Sequence, residues 1–235
     1  MQNYHYVKIL KPRLDADNLY SPARTKRSVA YSEKFWKNAS TVSFSFMRAL
    51  PEEMKYRVER CIRQWEPFVS LAFERVEDGP GQIRIDLEGS GNYSALGTNA
   101  LTIASDEPTL VVTERSDTPS FEISLIHEFG HALGFHHAHL HPDANIPWDK
   151  DAVYQYFVEV VGWEKDEVDL NLFDLDTTGG LVLGNYDKHS IMHYPIQSFL
   201  TTNNFEIPIN KHISEGDKQL ARIAYPPINY QDVSI

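Results

Sequence analysis

Hydrophobic and polar residues alternate along several short stretches in the first half of the chain. Val42, Phe44 and Phe46 occupy every second position, and this alternation predicts a half-buried strand over residues 41–47. The same pattern predicts two further strands and then a longer run of extended chain, over residues 71–76, 83–87 and 93–113.

Between the first two strands, the apolar residues have the spacing of a helix. This helix is predicted over residues 52–69, with Pro51 at its start. Its apolar positions are Met54, Val58, Cys61, Ile62, Trp65 and Val69. A strand, a long helix and further strands in this order predict an α+β fold, with a mixed sheet that is backed by helices.

The second half of the chain opens with a predicted helix over residues 120–133. Ser120 follows a proline and is expected to be the N-cap of this helix. Leu125, Phe129 and Ala132 are expected to pack on the sheet, because they share one helical face.

Two more helices are predicted around a loop over residues 171–185. An amphipathic helix over residues 149–161 is predicted from Val153, Phe157, Val160 and Val161. The final helix is capped by Ser214 together with Asp217, and Pro226 ends it. The residues expected to face the core from this helix are Leu220, Ile223 and Ala224.

The length and composition are those of one soluble globular domain, in one or two lobes. The chain has 235 residues, of which 42% are hydrophobic and 23% are charged. The net charge of −11 argues against nucleic acid and anionic membrane surfaces as partners. No apolar run is long enough to cross a bilayer, so we expect no membrane insertion, and we expect a monomer.

The first residues of the chain do not have the apolar segment of a signal peptide. Three possibilities are therefore left open: a signal peptide has been removed, export follows another route, or the protein stays inside the cell. Secretion or export, by either route, is favoured over the cytoplasm. The one cysteine, Cys61, is compatible with each location, and we expect it to be a buried structural thiol.

Residues 127–137 carry most of the chemical information in the chain. They follow the pattern H-E-x-x-H-x-x-G-x-x-H. His127 and His131 are four residues apart and therefore lie on one helix face. Gly134 can adopt the left-handed conformation that ends a helix, so that His137 can turn back as a third ligand. The three imidazoles are predicted to bind one catalytic Zn²⁺ ion.

Glu128 is placed to act as a general base and acid. It lies beside the first ligand without being one, and it can reach the open position on the metal, where a water binds. Zinc lowers the pKa of that water to about 7, and the carboxylate accepts its proton during attack on a peptide carbonyl. The sequence therefore predicts a zinc-dependent endopeptidase that acts on protein or peptide substrates.

A second motif, over residues 190–195, reads Ser-Ile-Met-His-Tyr-Pro. Met192 fits the methionine-containing turn that lies beneath the zinc in metzincin peptidases. Tyr194 completes the pattern S-x-M-H-Y, which resembles the astacin family among the metzincins. His193 is expected to have a structural role only.

The resemblance to astacins, and in particular to their bacterial and fungal members, extends over most of the chain. The segments that resemble the family outside the two motifs are residues 142–154, 162–163, 186–190 and 213–218. The resemblance implies a metzincin-type catalytic domain over residues 31–235, with an N-terminal lobe that ends near Gly134. Its twisted mixed sheet and zinc-binding helix would belong to the first lobe, and residues 135–235 would form a mostly irregular second lobe that ends in a helix.

The resemblance also indicates what the N-terminal residues do. Residues 27–36 resemble the activation boundary of the family, where a basic residue precedes a short spacer and a tryptophan. Residues 1–30 are therefore expected to be an N-terminal arm or the remnant of a propeptide, with Arg27 as a hypothetical cleavage point. An extended segment that lies on the domain is the equally weighted alternative.

Further roles come from the resemblance alone. It implies that Tyr194 is a fifth zinc ligand at rest, which swings away to hydrogen-bond the oxyanion when substrate binds. It also places residues Tyr93, Ser94, Ala95 and Leu96 at the sheet edge above the zinc, where a substrate could add as an antiparallel strand. A covered edge loop is the alternative. Residues 196–202 are expected to line the pocket for the side chain after the scissile bond.

Three features depart from the astacin pattern. Ala138 occupies the position at which astacins have a glutamate that meets the N-terminus of the matured chain. The single cysteine excludes an internal disulfide, whereas the animal enzymes have two. Neither an F-x-G-D aspartate switch nor a cysteine in the first forty residues is present, so the sequence does not indicate how the enzyme is kept latent.

The sequence is also compatible with alternatives. One is a zinc-binding module that has lost its catalytic function, although the intact Glu128, Gly134 and Tyr194 argue against it. Another is a metzincin of the matrixin-like branch, which shares the first histidine motif. The remaining histidines near the triad, His136, His139 and His141, could form a second metal site, but isolated imidazoles are the preferred interpretation.

Overall fold

A computed structural model describes residues 7–9, 29–89, 91–175, 180–182 and 184–227. Most of the expected N-terminal arm, including the hypothetical cleavage point after Arg27, lies outside these residues. The strands are β1 (Val7–Ile9), β2 (Ala30–Tyr31), β3 (Thr41–Phe46), β4 (Ala72–Arg75), β5 (Ile83–Asp86), β6 (Asn92–Ser94), β7 (Leu110–Val111) and β8 (Leu181–Val182). The α-helices are α1 (Glu52–Ile62), α2 (Pro119–Ala132), α3 (Lys150–Tyr154), α4 (Lys165–Val168) and α5 (Glu215–Ala224).

Six strands form one mixed sheet in the order β1-β6-β7-β5-β3-β4. Strands β4, β3, β5 and β7 run parallel to one another, and β6 runs antiparallel to β7. On its other side β6 pairs in parallel with β1, with Val7 opposite Asn92. A separate two-stranded antiparallel sheet joins β2 to β8.

The helix behind the sheet, α1, is shorter than the predicted residues 52–69. It ends at Ile62 and is followed by a 3₁₀ turn, Glu66–Phe68. Pro67 explains the early end, because proline has no N–H to donate and disfavours helical geometry in the residue before it. Trp65 is nevertheless buried as expected, and its indole N–H donates to the carbonyl of Ile126 in α2 (3.0 Å).

The prediction that Ser120 caps α2 is wrong. The N-cap is Thr118, and Pro119 takes the first helical position, where its missing N–H leaves no hydrogen bond unmade. The Ser120 hydroxyl lies 2.8 Å from the hydroxyl of Thr118 instead.

Residues 149–161 change helix type part-way. Asp149 caps α3, because its side chain accepts a hydrogen bond from the N–H of Ala152. The following residues, Gln155–Val161, form a wider π-helix. Val153 and Phe157 are buried as predicted, whereas Val160 is 70% exposed. The wider turn moves Val160 off the buried face, so its predicted burial is wrong.

The predicted loop over residues 171–185 also contains regular structure. It begins within a second π-helical turn, Asp169–Phe173, and it includes the short strand β8. The strand forms because its partner β2 lies far away in sequence, which no local pattern shows.

The final helix begins as predicted. The Ser214 hydroxyl accepts a hydrogen bond from the N–H of Asp217, and the Asp217 carboxylate accepts one from the N–H of Ser214. Leu220 and Ala224 are buried, but Ile223 is 55% exposed, and Ala221 faces the core in its place.

The buried apolar residues form two main clusters. The larger fills the space between the sheet, α1 and α2, and it also takes in Met192 and Leu220 from the second half of the chain. The smaller surrounds Phe157 and Trp163 and consists of residues after Gly134. A two-lobe α+β domain with a mostly irregular C-terminal part that ends in a helix is therefore confirmed. None of the helices in the described ranges has the length and apolar character needed to cross a bilayer.

Candidate metal centre and active site

Helix α2 presents two of the predicted ligands on one buried face. His127 is 6% exposed and His131 is fully buried. Their Nε2 atoms lie 3.1 Å apart, as expected for residues one helical turn from each other. The helix therefore supplies two imidazole nitrogens to a single point.

The third ligand is brought to the same point by the end of the helix. Gly134 has a φ of +91°, and the N–H of Phe135 donates to the carbonyl of Gly130 (3.0 Å), which reverses the chain. The Nε2 atom of His137 then lies 3.0 Å from that of His131. A side chain at Gly134 would also crowd Phe35, since an added Cβ would lie 3.0 Å from its Cδ1 atom.

Two distant aromatic residues bind the last carbonyls of α2. The indole N–H of Trp36 donates to the carbonyl of Ala132 (2.7 Å), and the hydroxyl of Tyr225 donates to that of Leu133 (2.7 Å). The Tyr225 hydroxyl also accepts a hydrogen bond from the backbone N–H of Trp36 (3.2 Å). These bonds satisfy carbonyls that a helix end leaves without partners and fix the direction of the chain towards His137.

Backbone carbonyls orient the first two imidazoles. His127 Nδ1 lies 2.7 Å from the carbonyl oxygen of Ile191, and His131 Nδ1 lies 2.6 Å from that of Phe135. Because a carbonyl only accepts, each Nδ1 carries the proton, and each Nε2 is left with a lone pair directed into the site.

The three histidines fit a zinc ion. Their ligand atoms all lie within 4.8 Å of one another. Burial lowers the pKa of His127 to about 4 and the pKa values of His131 and His137 well below the usual range. All three are therefore neutral at physiological pH, which is the form in which imidazole binds a metal. Among the residues that the structure describes, no other group of three potential ligands comes together.

Glu128 lies in the same buried region. Its side chain is fully buried, and neither carboxylate oxygen has a hydrogen-bond partner in the described part of the chain. Burial, and secondarily the charge of Glu114, raises the pKa of Glu128 well above its usual value. A buried carboxyl without partners is unfavourable unless a further group binds it, so these oxygens fit a site that receives a water and a metal ion.

A polar cluster that the sequence did not indicate lies near Glu128. Glu114 Oε1 accepts hydrogen bonds from the Asn92 side-chain amide (2.5 Å) and from the Ser124 hydroxyl (2.5 Å). Asn92 begins β6 and Ser124 lies on α2, so the cluster joins strand β6 to helix α2.

Met192 packs against helix α2 at Gly130. It is buried, and a Cβ added at Gly130 would overlap its sulfur atom. Its carbonyl accepts a hydrogen bond from the N–H of Ala138, directly after the third histidine (3.0 Å). The methionine turn therefore contacts both segments that carry the ligands.

Comparison with known families decides between the branches of this architecture. A model of the peptidase family described as Astacin matches residues 28–220. The chain belongs to the astacin family. This favours the astacin branch over the matrixin-like alternative. Astacins use one catalytic zinc, and the histidine triad is a group that could hold it. The predictions of an astacin-like zinc endopeptidase domain and of zinc as its cofactor are confirmed.

Named relatives agree with this placement. The chain is 29% identical over 182 residues to the bone morphogenetic protein 1 homolog of Strongylocentrotus purpuratus, covering 71% of this chain and 27% of that protein. It is 27% identical over 184 residues to the zinc metalloproteinase nas-36 of Caenorhabditis elegans, covering 75% and 26% respectively. The chain thus spans about a quarter of the length of these curated relatives.

Solved structures resemble the whole fold. The structure of myroilysin is 38% identical, with a TM-score of 0.79, and the match covers 86% of this chain and all of that one. The hatching enzyme zinc-protease HCE-1 of Oryzias latipes, the medaka fish, is 18% identical, with a TM-score of 0.56 and coverage of 83% and 95%. At that identity the second likeness supports the fold alone.

The astacin tyrosine, Tyr194, packs against the third ligand. It is 2% exposed, and its ring centroid lies 4.1 Å from that of His137. The Tyr194 ring also stacks on the ring of His139, with 4.6 Å between the ring centroids and an angle of 24° between the ring planes. His139 is itself held by a hydrogen bond from Nε2 to the carbonyl of Asn171 (2.7 Å). The sequence did not indicate this contact between His139 and Tyr194.

The other histidines near the triad bind protein groups. His136 Nδ1 accepts a hydrogen bond from the N–H of His137 (2.7 Å), and His141 Nε2 lies 3.3 Å from the carbonyl of Gly184. His193 has partners at both nitrogens, which are the carbonyl of Tyr194 (2.7 Å) and the hydroxyl of Tyr186 (3.1 Å). These bonds give each ring a structural role.

The segment expected to lie at the sheet edge is covered there, because β1 pairs with β6 on its outer side. Tyr93 and Ser94 belong to β6 and pair with residues of β1. Ala95 donates its N–H to the carbonyl of Thr109 (2.8 Å), on the side of β7. Leu96 is buried in a small apolar cluster with Val29 and Tyr31.

Proposed function

We propose that this chain hydrolyses internal peptide bonds in protein or peptide substrates, at a zinc ion held by His127, His131 and His137. The observation that supports this proposal is the convergence of three neutral imidazole nitrogens beside the buried, partnerless carboxylate of Glu128. Zinc bound there would lower the pKa of a coordinated water to about 7 and polarise the scissile carbonyl.

Glu128 acts as the general base and then as the general acid. It takes a proton from the attacking water and later gives it to the nitrogen of the leaving amine. Its raised pKa suits both steps, because a carboxyl that titrates nearer to neutral pH can accept a proton and return it.

Tyr194 acts on the oxyanion that forms at the scissile carbonyl. Its ring packs against the rings of both His137 and His139, and its hydroxyl is buried. We propose that this hydroxyl binds the metal at rest and donates a hydrogen bond to the oxyanion when substrate is present.

Substitution of Glu128 tests the catalytic proposal. Glu128→Gln keeps the shape of the side chain but cannot accept the proton, so kcat on a peptide library should fall by about 10²–10⁴-fold. Metal analysis should still find one zinc per chain. His131→Ala is the matched control, which should lose zinc and activity together. Activity of Glu128→Gln near that of the wild type would contradict the role of Glu128. If the unmodified chain cleaves no peptide, the chain is instead a zinc-binding module that has lost its catalytic function.

Substitution of Tyr194 tests the second role. Tyr194→Phe retains the packing on His137 and His139, so the fold and KM should change little. Loss of an oxyanion donor typically lowers kcat by about 10²–10³-fold. An unchanged kcat would show that the hydroxyl does not act in the reaction.

We also propose that substrate adds to β6 as an antiparallel strand and that the N-terminal residues oppose this. Strand β1 occupies the same edge in the parallel direction, so substrate and β1 compete for the same backbone groups. Residues 1–30 would then be a propeptide remnant or arm of a catalytic domain that starts at about residue 31. Cleavage after Arg27 would remove residues 1–27, including β1, and so free the outer side of β6.

Removal of the N-terminal residues tests this idea. A variant that starts at residue 28 should cleave peptides with a lower KM than the full chain, and N-terminal sequencing of active enzyme should find the same start. The unshortened chain with Arg27→Gln is the control for processing. Equal KM values for the full and shortened chains would contradict competition at the edge.

The location and partners follow from the same proposal. We propose that the protein acts after export from the cell, as a monomer, and that its partners are the proteins or peptides that it cleaves. Cell fractionation and size-exclusion chromatography test these points directly, and activity confined to the cytoplasmic fraction would contradict the first.

A further inference from the structure

A chain of hydrogen bonds leads from a zinc ligand to a buried carboxylate on the last helix. It begins at His127, whose Nδ1–H donates to the carbonyl of Ile191 (2.7 Å). The next peptide N–H, that of Met192, donates to the hydroxyl oxygen of Ser190 (3.0 Å). The hydroxyl of Ser190 donates to Asp217 Oδ1 (2.5 Å).

We propose that Asp217 is a positioning residue for the zinc ligand His127, acting through Ser190 and the peptide group between Ile191 and Met192. The proposal rests on the assignment of His127 as a ligand. It assigns Asp217 and Ser190 a role in metal binding, in addition to the capping role that the sequence indicates for Asp217.

The covalent structure of the peptide group makes the bonds cooperative. The carbonyl of Ile191 and the N–H of Met192 belong to the same peptide unit, so donation by the N–H increases the negative charge on the carbonyl oxygen. A more negative oxygen holds the Nδ1 proton of His127 more tightly and makes Nε2 a stronger ligand. The Ser190 hydroxyl accepts one hydrogen bond and donates the next to the Asp217 carboxylate. Every bond in the chain therefore donates in one direction along it, with the carboxylate as the final acceptor.

A second set of bonds fixes the same turn. Asp217 Oδ2 accepts hydrogen bonds from the N–H of Ile191 (2.8 Å) and from the N–H of Ser214 (2.9 Å). Ser190 and Asp217 are 3% and 4% exposed, so the chain is shielded from water. A helix cap at the surface does not need to be buried. The hydrogen bonds that offset the cost of burying the Asp217 carboxylate all come from the methionine turn or from the start of α5.

The test compares variants that break the chain with one that breaks only the helix cap. In the full-length protein, Ser190→Ala and Asp217→Asn should each weaken zinc binding by about tenfold, at the lower end of the effect of outer-shell partners. The double variant should lose no more zinc affinity than the more affected of the two single variants, because both substitutions interrupt the same chain of hydrogen bonds. Ser214→Ala removes the cap hydroxyl and should lower thermal stability without a change in zinc affinity.

Zinc affinity is measured by competition with a chelator of known strength, on variants whose circular dichroism matches that of the wild type. In zinc-loaded protein, the NMR signal of the His127 Nδ1 proton should move upfield in both chain variants and stay in place in Ser214→Ala. A purely structural role would leave that signal unmoved. If Asp217→Asn does not fold, Ser190→Ala decides the question alone.

The outcomes separate this inference from the proposed function. Wild-type zinc affinity and an unmoved proton signal in Ser190→Ala would overturn the inference. If His127→Ala itself retains wild-type zinc affinity, the ligand assignment fails as well. Loss of zinc in His127→Ala together with no effect in Ser190→Ala leaves the peptidase proposal intact and removes the role of Asp217.

Discussion

The sulfur of Met192 lies directly against Gly130, within the zinc-binding turn of α2. A Cβ at position 130 would overlap that sulfur, and it would lie 3.1 Å from Met192 Cε and 3.2 Å from Trp65 Cζ2. The methionine turn approaches the helix this closely because residue 130 has no side chain.

Gly130→Ala is therefore expected to push the turn away from the helix. Overpacking costs about 1–3 kcal/mol of stability, which exceeds the gain of up to about 1 kcal/mol from replacing a helical glycine. Displacement of the turn moves the Ile191 carbonyl from His127, so zinc affinity should fall, as measured by chelator competition. Gly130→Ala combined with Met192→Ala makes room for the methyl group and should recover part of the affinity. Equal affinities in the single and double variants would count against this contact.

Gly134→Ala should weaken zinc binding, whereas Gly162→Ala should not. Both glycines are left-handed, with φ values of +91° and +81°, so each substitution costs roughly 1–2 kcal/mol in backbone strain. Only at Gly134 would the added Cβ meet a neighbour, Phe35, and only Gly134 directs the chain to His137. Thermal unfolding should show losses in both variants, and zinc titration should separate them. A similar loss of zinc affinity in both would contradict the role of the helix end.

Acid should destabilise the zinc-free protein over a defined window. His127 has a pKa of about 4 in the folded chain against a reference value of 6.5, so between these values the unfolded chain binds a proton that the folded chain does not. The stability that His127 contributes is fully present above pH 6.5 and is lost as the pH falls to about 4. The loss amounts to about 3 kcal/mol. Burial lowers the pKa values of His131, His137 and His193 in the same direction.

Glu128 opposes this effect. Because its pKa is raised in the folded chain, above pH 4.5 the folded chain keeps a proton on Glu128 that the unfolded chain has lost. Asp217, whose pKa burial also raises, acts in the same direction as Glu128. Two carboxyl groups thus oppose six histidines with lowered pKa values, so the net stability should still fall with acid. Thermal unfolding of chelator-treated protein across the window measures the slope, and Glu128→Gln should make it steeper. A midpoint that is constant across the window would contradict the prediction.

The thiol of Cys61 should be unreactive in the folded protein. It is fully buried, and burial, with a smaller effect from Glu122, raises its pKa to about 12. A thiol-specific chromogenic reagent should therefore label the native chain only at the rate of unfolding and should label it at once in denaturant. Because this is the only cysteine, the signal needs no correction. Rapid labelling without denaturant would contradict the burial.

The parts of the site that depend on local geometry could be predicted from the sequence. The spacing of His127 and His131 fixes a shared helix face, and Gly134 indicates where the chain turns back, so the triad follows from short-range rules. The strands of the sheet follow in the same way from alternation, which is why the bounds of β3, β4 and β5 agree with the structure to within a residue or two.

The remaining features depend on contacts between distant segments. The carbonyls of Ile191 and Phe135, which orient two ligands, belong to the backbone and carry no residue-type pattern. The packing of His139 on Tyr194 arises only when two segments far apart in sequence meet. The early end of α1 was predictable in principle, because Pro67 marks it, but the apolar spacing continues past the proline and extended the predicted helix too far.

The meeting of Trp36 and Tyr225 at the end of α2 has a consequence for biosynthesis. These residues are separated by 189 positions, yet both bind the turn that delivers His137. Contacts of such long range form late, because closing the loop between them costs chain entropy before any contact forms. We therefore expect the proposed zinc site to be completed only after residue 225 has left the ribosome.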